Sequence, residues 1–177
     1  TFDDLGKEGS QYIVPTNTPL YKDGRIFTAN GYGAGAFMLQ LNEDASGVRL
    51  LWRNKGFDPH HGCFVLVDGI IYGSSHGRNG LGKWMAVDWN TGRTRFEMNW
   101  GKGVGEGSVI AADGMLYCSD ERRGMVGLVR VNPAKFDLVS FFRITRGEGA
   151  FWAHPVIHRG ILYVRHGNAL MAYKIKG

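Results

Sequence analysis

The strongest constraint on this chain is a spacing. A short turn, Asp23-Gly24, Asp68-Gly69, Asp113-Gly114 and Arg159-Gly160, recurs with its glycines 45, 45 and 46 residues apart. An aromatic residue stands three positions beyond each glycine: Phe27, Tyr72, Tyr117 and Tyr163. Asp-Gly between two apolar runs marks a two-residue hairpin, because a turn of the primed type needs positive φ at both central positions. Cys63 to Val67 and Ser108 to Ala112 precede their turns, and Ile70-Ile71-Tyr72 and Met115-Leu116-Tyr117 follow them. Runs this apolar and β-branched predict strands buried on both faces.

The rest of the unit repeats too. A third strand is expected over Phe37–Leu41, Trp84–Asp88, Gly127–Val131 and Ala169–Tyr173, and a fourth over Val48–Arg53, Arg93–Met98 and Leu138–Ile144. The last unit reaches Gly177 without a fourth. Four antiparallel strands at this period predict an all-β chain built of β-propeller blades, whereas a single sandwich would carry no fixed period. The expected blades are approximately 13–57, 58–102, 103–147 and 148–177. Four is at the low end for a ring, so the chain forms either a partial or half ring or a small closed propeller. A half ring leaves edges that a second copy of the chain is suited to cover.

Composition narrows the classes. With 27 glycines in 177 residues a helical bundle is disfavoured, and 44% apolar against 21% charged residues is enough for a packed core. No apolar run reaches the length of a membrane helix, and Thr1-Phe2-Asp3-Asp4 lacks the basic and apolar regions of a signal peptide. The net charge of +5 is concentrated after residue 120, but no basic run exceeds Arg122-Arg123, which argues against a nucleic-acid partner. Cys63 and Cys118 are too few and too far apart for a metal motif, and their apolar surroundings predict buried free thiols rather than a disulfide. The loop Gly77 to Lys83 resembles a phosphate loop only superficially, since no Gly-Lys-Ser/Thr ending or helix follows.

The unit of apolar strand, Asp-Gly, apolar-Tyr, glycine loop, apolar-Ala-Val-Asp and Thr-Gly is clearest in Asp68 to Ser74 and Met85 to Gly92. It resembles the pyrroloquinoline-quinone-like repeat of quinoprotein-type propellers, over about residues 13 to 176. The closing stretches Trp152-Ala153-His154-Pro155-Val156-Ile157 and Gly160 to Arg165 are most similar to polyvinyl-alcohol and quinoprotein alcohol dehydrogenases. The resemblance implies a ring of six to eight blades and a periplasmic or extracellular location. For an enzyme of that class it further implies a quinone and Ca²⁺ on the axis, a stacking tryptophan, an Asp base and a disulfide between adjacent cysteines. No adjacent cysteine pair occurs here, and Phe96 and Phe142 stand where Trp52 keeps the usual outer-strand tryptophan.

Aligning the units locates a candidate site, because the first strand of each propeller blade lines the axis. Eight residues before each turn glycine stand Thr16, His61, Glu106 and Trp152, and six before it Thr18, Cys63, Ser108 and His154. Being two apart, the rows would share a face of the strand. Three chemistries compete at such a mouth: His61, Glu106 and His154 as transition-metal ligands, Glu106 with waters on Ca²⁺, or Trp152 stacking a quinone that His61, His154 and Glu106 surround. The bland alternative is hydrogen bonding to neighbouring loops. Strand alternation would send His60 and His61 to opposite faces unless that segment is a loop. A second row, Asn30, Ser75, Asp120 and His166, follows each glycine by six residues. Glu106 and Asp120 are therefore the candidate catalytic carboxylates, with Asp120-Glu121 facing Arg165-His166 as an acid/base pair if their blades meet, and exposed strand ends as the simpler reading.

Two functions follow from these readings. One is a binding or scaffold propeller for a protein, glycan or polymer. The other is a quinone-dependent alcohol dehydrogenase or a fragment of one.

Overall fold

The computed structural model describes residues 16–77, 82–100 and 105–175. The expectations for Thr1 to Asp4 and for residues 78–81 of the glycine loop lie outside them. Blade 1 comprises β1 (Leu20–Lys22), β2 (Arg25–Ala29), β3 (Ala36–Leu41) and β4 (Val48–Asn54). Blade 2 comprises β5 (Phe64–Val67), β6 (Ile70–Ser75), β7 (Lys83–Asp88) and β8 (Thr94–Met98). Blade 3 comprises β9 (Gly107–Ala112), β10 (Met115–Asp120), β11 (Met125–Arg130) and β12 (Asp137–Arg143). Blade 4 has β13 (Val156–His158), β14 (Ile161–His166) and β15 (Ala169–Lys174). Each is a separate antiparallel meander paired in chain order, the arrangement of β-propeller blades.

The hairpin chemistry read from the turns is realised in all four. Asp23 and Gly24 have φ of 49° and 71°, Asp68 and Gly69 47° and 77°, Asp113 and Gly114 51° and 72°, and Arg159 and Gly160 48° and 75°. Both central residues are left-handed, as the twist of the flanking strands requires. The outer strands also repeat a detail. The register of the third and fourth strands shifts between Met38 and Leu39, Ala86 and Val87, and Leu128 and Val129, so each complete blade bends at the same level.

The core lies between blades. Phe27 packs with Phe57, Phe64 and Met85 where blades 1 and 2 meet, Tyr72 and Trp84 with Val109 and Leu116 between blades 2 and 3, and Tyr117 with Leu162 and Val164 between blades 3 and 4. The aromatic three residues beyond each of the first three turn glycines thus fills successive inter-blade wedges. Each such side chain contributes about 1.5–3 kcal/mol on burial. Trp52 adds a directional tie, its indole N–H donating to Trp89 O at 3.1 Å. A Cβ at Gly92 would lie 2.5 Å from the Trp52 ring, so only glycine admits the indole over that turn.

Two expectations need correction. The first strands begin at Leu20, Phe64, Gly107 and Val156, so apart from Ser108 both axial rows sit in the loops ahead of those strands. Their side chains are placed by loop geometry and not by strand alternation. Cys63 is accordingly not a buried strand residue: it is half-buried with a φ of 57°, while Cys118 is buried on β10, and both are free thiols.

Candidate functional site

Loops ahead of the first strands and just after the second strands meet at one mouth. Residues 60–63 are irregular, and a Cβ on Gly62 would fall 2.0 Å from Gly107 O, so blade 2 enters pressed against β9. Irregularity frees His60 and His61 from alternation, and their rings lie 4.8 Å apart. The His60 ring also meets His76 at 5.2 Å and Tyr32 at 4.5 Å, and His61 meets the Trp152 indole edge to face at 5.5 Å. From blade 4, His154 donates Nε2–H to His61 O at 2.8 Å. From blade 1, Thr16 Oγ1 donates to His60 O at 2.6 Å. Of the aligned rows, Thr16, His61, Trp152 and His154 therefore come together here from blades 1, 2 and 4.

Blade 3 supplies the charge. Glu121 N–H donates to Glu106 O at 3.0 Å, extending the β9–β10 ladder by one rung and setting the two residues side by side. Each carboxylate then takes an imidazole of blade 2, Glu106 Oε1 from His76 Nδ1–H and Glu121 Oε2 from His61 Nε2–H at 2.9 Å. Glu106 is 3% exposed, and among the described residues its Oε2 has no hydrogen-bond partner. Burial pushes its carboxyl above the ordinary range against the pull of His76. Burial also acts on Glu121, but the bond from His61 and the surrounding imidazoles outweigh it and hold that carboxyl low. Desolvation, reinforced by His61 and His76, keeps His60 below the usual imidazole value. The Cys63 thiol is lowered by its hydrogen bond with His154, whose imidazole that bond raises over the opposing effect of burial.

His76 and Tyr32 were not among the residues singled out from sequence, and Glu121 was named only beside Asp120, as a partner for Arg165-His166. His76 and Glu121 stand seven residues beyond their turn glycines, one past the row that was aligned. Extending the comparison by that single position would have found both. Tyr32 had no such signal; it is placed by Asp58, a buried carboxylate that accepts from Gly33 N–H and Gly35 N–H at 2.7 Å each across the blade boundary.

The second row has a different role from the one expected. Asn30, Ser75, Asp120 and His166 are all buried. Ser75 Oγ donates to Gly56 O and accepts from Asp58 N–H, and His166 places its two ring nitrogens 2.8 Å from Arg146 O and Gly149 O. Each clasps the loop that leads into its own blade. Asp120 accepts through Oδ2 from Arg122 N–H and Arg123 N–H, capping its own turn, so it is not paired with His166 as an acid/base couple.

The metal reading meets the same obstacle. Among the described residues no three His, Cys, Asp or Glu side chains stand where one ion could bind them. His61, Glu106 and His154 share the mouth but turn to different partners: Glu121, His76 and the His61 carbonyl. Ca²⁺ asks for six to eight oxygen ligands, and the two carboxylates present are each engaged by an imidazole. Among the described residues the side chains at the mouth do not supply the oxygen set of a Ca²⁺ site.

No family model matches the chain, and no curated protein matches it in sequence. Among solved structures it is similar to BamB from Moraxella catarrhalis, with a TM-score of 0.64 and 16% identity over 88% of this chain and 41% of that one. It is also similar to the quinohemoprotein alcohol dehydrogenase ADHIIG from Pseudomonas putida HK5, with a TM-score of 0.61 and 16% identity over 84% of this chain and 28% of that one. A third likeness, to the computationally designed Ika4 protein, has a TM-score of 0.59 and 10% identity over 96% and 95% of the two chains. At these identities the likeness is one of fold. The chain spans less than half the length of BamB and less than a third of the dehydrogenase.

Proposed function

We propose that this chain is a binding propeller whose axial mouth takes a hydroxyl-rich ligand, a glycan or a polyol polymer. One observation carries the reading: the rings of Tyr32, His60, His61, His76 and Trp152 run in unbroken contact beside two carboxylates, one with an oxygen that no described residue satisfies. Ring faces cover the C–H surface of a sugar or polyol, while imidazole and carboxylate groups exchange hydrogen bonds with its hydroxyls. Trp152 is 62% exposed, unusual for the largest side chain and suited to a ring that receives a ligand. The resemblance of its segment to polymer-alcohol dehydrogenases supports the same ligand class, and an extracytoplasmic location with it.

Calorimetric titration against soluble polysaccharides and poly(vinyl alcohol) tests the reading. Binding to at least one, weakened tenfold or more by Trp152→Ala, is expected, which corresponds to about 1.4 kcal/mol. Binding to none, or binding indifferent to Trp152, contradicts it. The dehydrogenase reading draws on the repeat's resemblance and on fold likeness, and reconstitution with quinone and Ca²⁺ should yield no bound chromophore and no dye-linked alcohol oxidation.

A second copy of the chain is the proposed partner at the outer face of blade 4. Tyr163 sits there at the position that Phe27, Tyr72 and Tyr117 bury in the other wedges, beside Val156 and Leu170, which are 56% and 70% exposed. Light scattering should report twice 19.6 kDa, and Leu170→Glu should return the monomer. A monomeric wild type removes the second copy from the account.

A further inference from the structure

Blades 1 to 3 each carry a fourth strand, whereas β15 is the last strand of blade 4, so among the described residues its outer edge is unpaired. Ile175 N–H turns inward to Gly160 O at 2.9 Å. By strand alternation Leu170, Ala172 and Lys174 then aim their main-chain N–H and C=O groups at the open edge. Such an edge is a template for another strand.

The wedge beside that edge is open as well. Between blades 1 and 2, Trp89 from the β7–β8 turn is buried against Phe27, their centroids 6.5 Å apart. Between blades 2 and 3, Phe136 from the β11–β12 turn stacks on Trp84 at 6.2 Å and meets Phe96 edge to face at 6.5 Å, leaving a void of about 10 Å³. Between blades 3 and 4 no described residue takes that seat. A cavity of about 310 Å³ opens there against Phe142, lined also by Tyr117, Leu128, Leu162, Tyr173 and Ile175. A second cavity, of about 590 Å³, runs from Arg146 along Asn168 to Tyr173, so Tyr173 borders both.

Charge decides what kind of strand fits. Beyond Asp137 the described chain carries Arg143, Arg146, Arg159, Arg165 and Lys174 against Glu148 alone. Lys174 borders the first cavity and Arg146 the second, and neither has an ion-pair partner among the described residues. The β15 of a second copy would bring like charges together across the ladder, whereas carboxylates would complement them.

We propose that the open edge of β15 captures an extended acidic segment of a partner protein, which pairs as a fourth strand of blade 4 and seats an aromatic side chain against Phe142. Main-chain hydrogen bonds hold the segment, and the aromatic seat and the flanking cations select it. The sheet face of blade 4 that carries Tyr163 and Val156 is a different surface from this edge.

Fluorescence anisotropy of the full chain with a fluorescein-labelled peptide, Glu-Val-Glu-Trp-Glu-Val-Glu, tests the proposal. Saturable binding is expected, weakened at least tenfold when the peptide's Trp is replaced by Ala or its Glu residues by Lys. Ala172→Pro removes one N–H from the middle of the open edge and leaves the ladder to β14 intact, a place where strands tolerate proline. That variant should melt like wild type and lose the peptide. N-methylation of alternate peptide residues probes the same ladder without altering the protein: one of the two alternating patterns should abolish binding and the other should not. No binding, equal binding of the Lys peptide, or binding indifferent to both backbone changes overturns the proposal. So does a wild-type dimer that Ala172→Pro dissociates, which would give the edge to a second copy.

Discussion

Glu106 and Glu121 are joined by a backbone hydrogen bond of 3.0 Å, yet their carboxyl groups are displaced in opposite directions. Glu106 is dominated by burial, with one oxygen unsatisfied among the described residues, whereas on Glu121 the bond from His61 prevails. Adjacent groups pushed apart in this way divide the mouth into a site that favours a proton and a site that favours charge.

The pair makes opposite pH dependences. A carboxyl raised in the folded state contributes stability below its unfolded value, about 4.3, and loses it as pH rises through the folded value. Glu106→Gln cannot ionise, so it should melt above wild type near about pH 7.5, with the gap closing on acidification toward about pH 4. Glu121 contributes stability above that unfolded value and loses it as pH falls through its lowered folded value. Glu121→Gln should therefore melt below wild type near neutrality, again with a gap that closes in acid. Thermal melts across this range decide both, and gaps independent of pH would contradict the assignment.

Asp58 ties blade 2 to the loop that carries Tyr32. Asp58→Ala strands the buried amide of Gly35, removes the bond to the exposed Gly33, and should cost about 1–3 kcal/mol. Denaturant titration measures the loss. A change under about 0.5 kcal/mol would mean that water replaces the carboxylate without cost.

Arg159 occupies a left-handed turn position that Asp fills in the other three hairpins. Asn and Asp tolerate that conformation better than Arg does, because their short side chains bond locally to the turn. Arg159→Asn should stabilise the chain by about 0.5–1 kcal/mol in the same titration. No gain would mean that the Arg159 side chain supplies a compensating contact.

Much of this architecture was legible because a propeller writes its geometry as a period. The Asp-Gly pairs announce primed turns, and Phe27, Tyr72 and Tyr117 mark the wedges, each from local chemistry alone. The axial rows were found by the same alignment, although for a partly mistaken reason: His61, Glu106, Trp152 and His154 lie in loops, where the spacing survives but strand alternation does not. What the alignment could not supply was pairing. That His76 turns to Glu106 while His61 turns to Glu121 depends on how Gly62 and Gly107 crowd two blades together, and Asp58 reaches Gly33 and Gly35 across a blade boundary. Such contacts are set by tertiary packing and leave no mark at fixed separation.

The most direct test asks whether blades 2 and 4 meet at the mouth. His61 and Trp152 lie far apart in the chain with all of blade 3 between them, and their ring centroids are 5.5 Å apart. In selectively labelled protein, nuclear Overhauser contacts should connect the Trp152 indole to the His61 imidazole. Trp152 contacts confined to blade 4, in a chain whose Tyr72 and Tyr117 wedges are intact, would contradict a shared axial site.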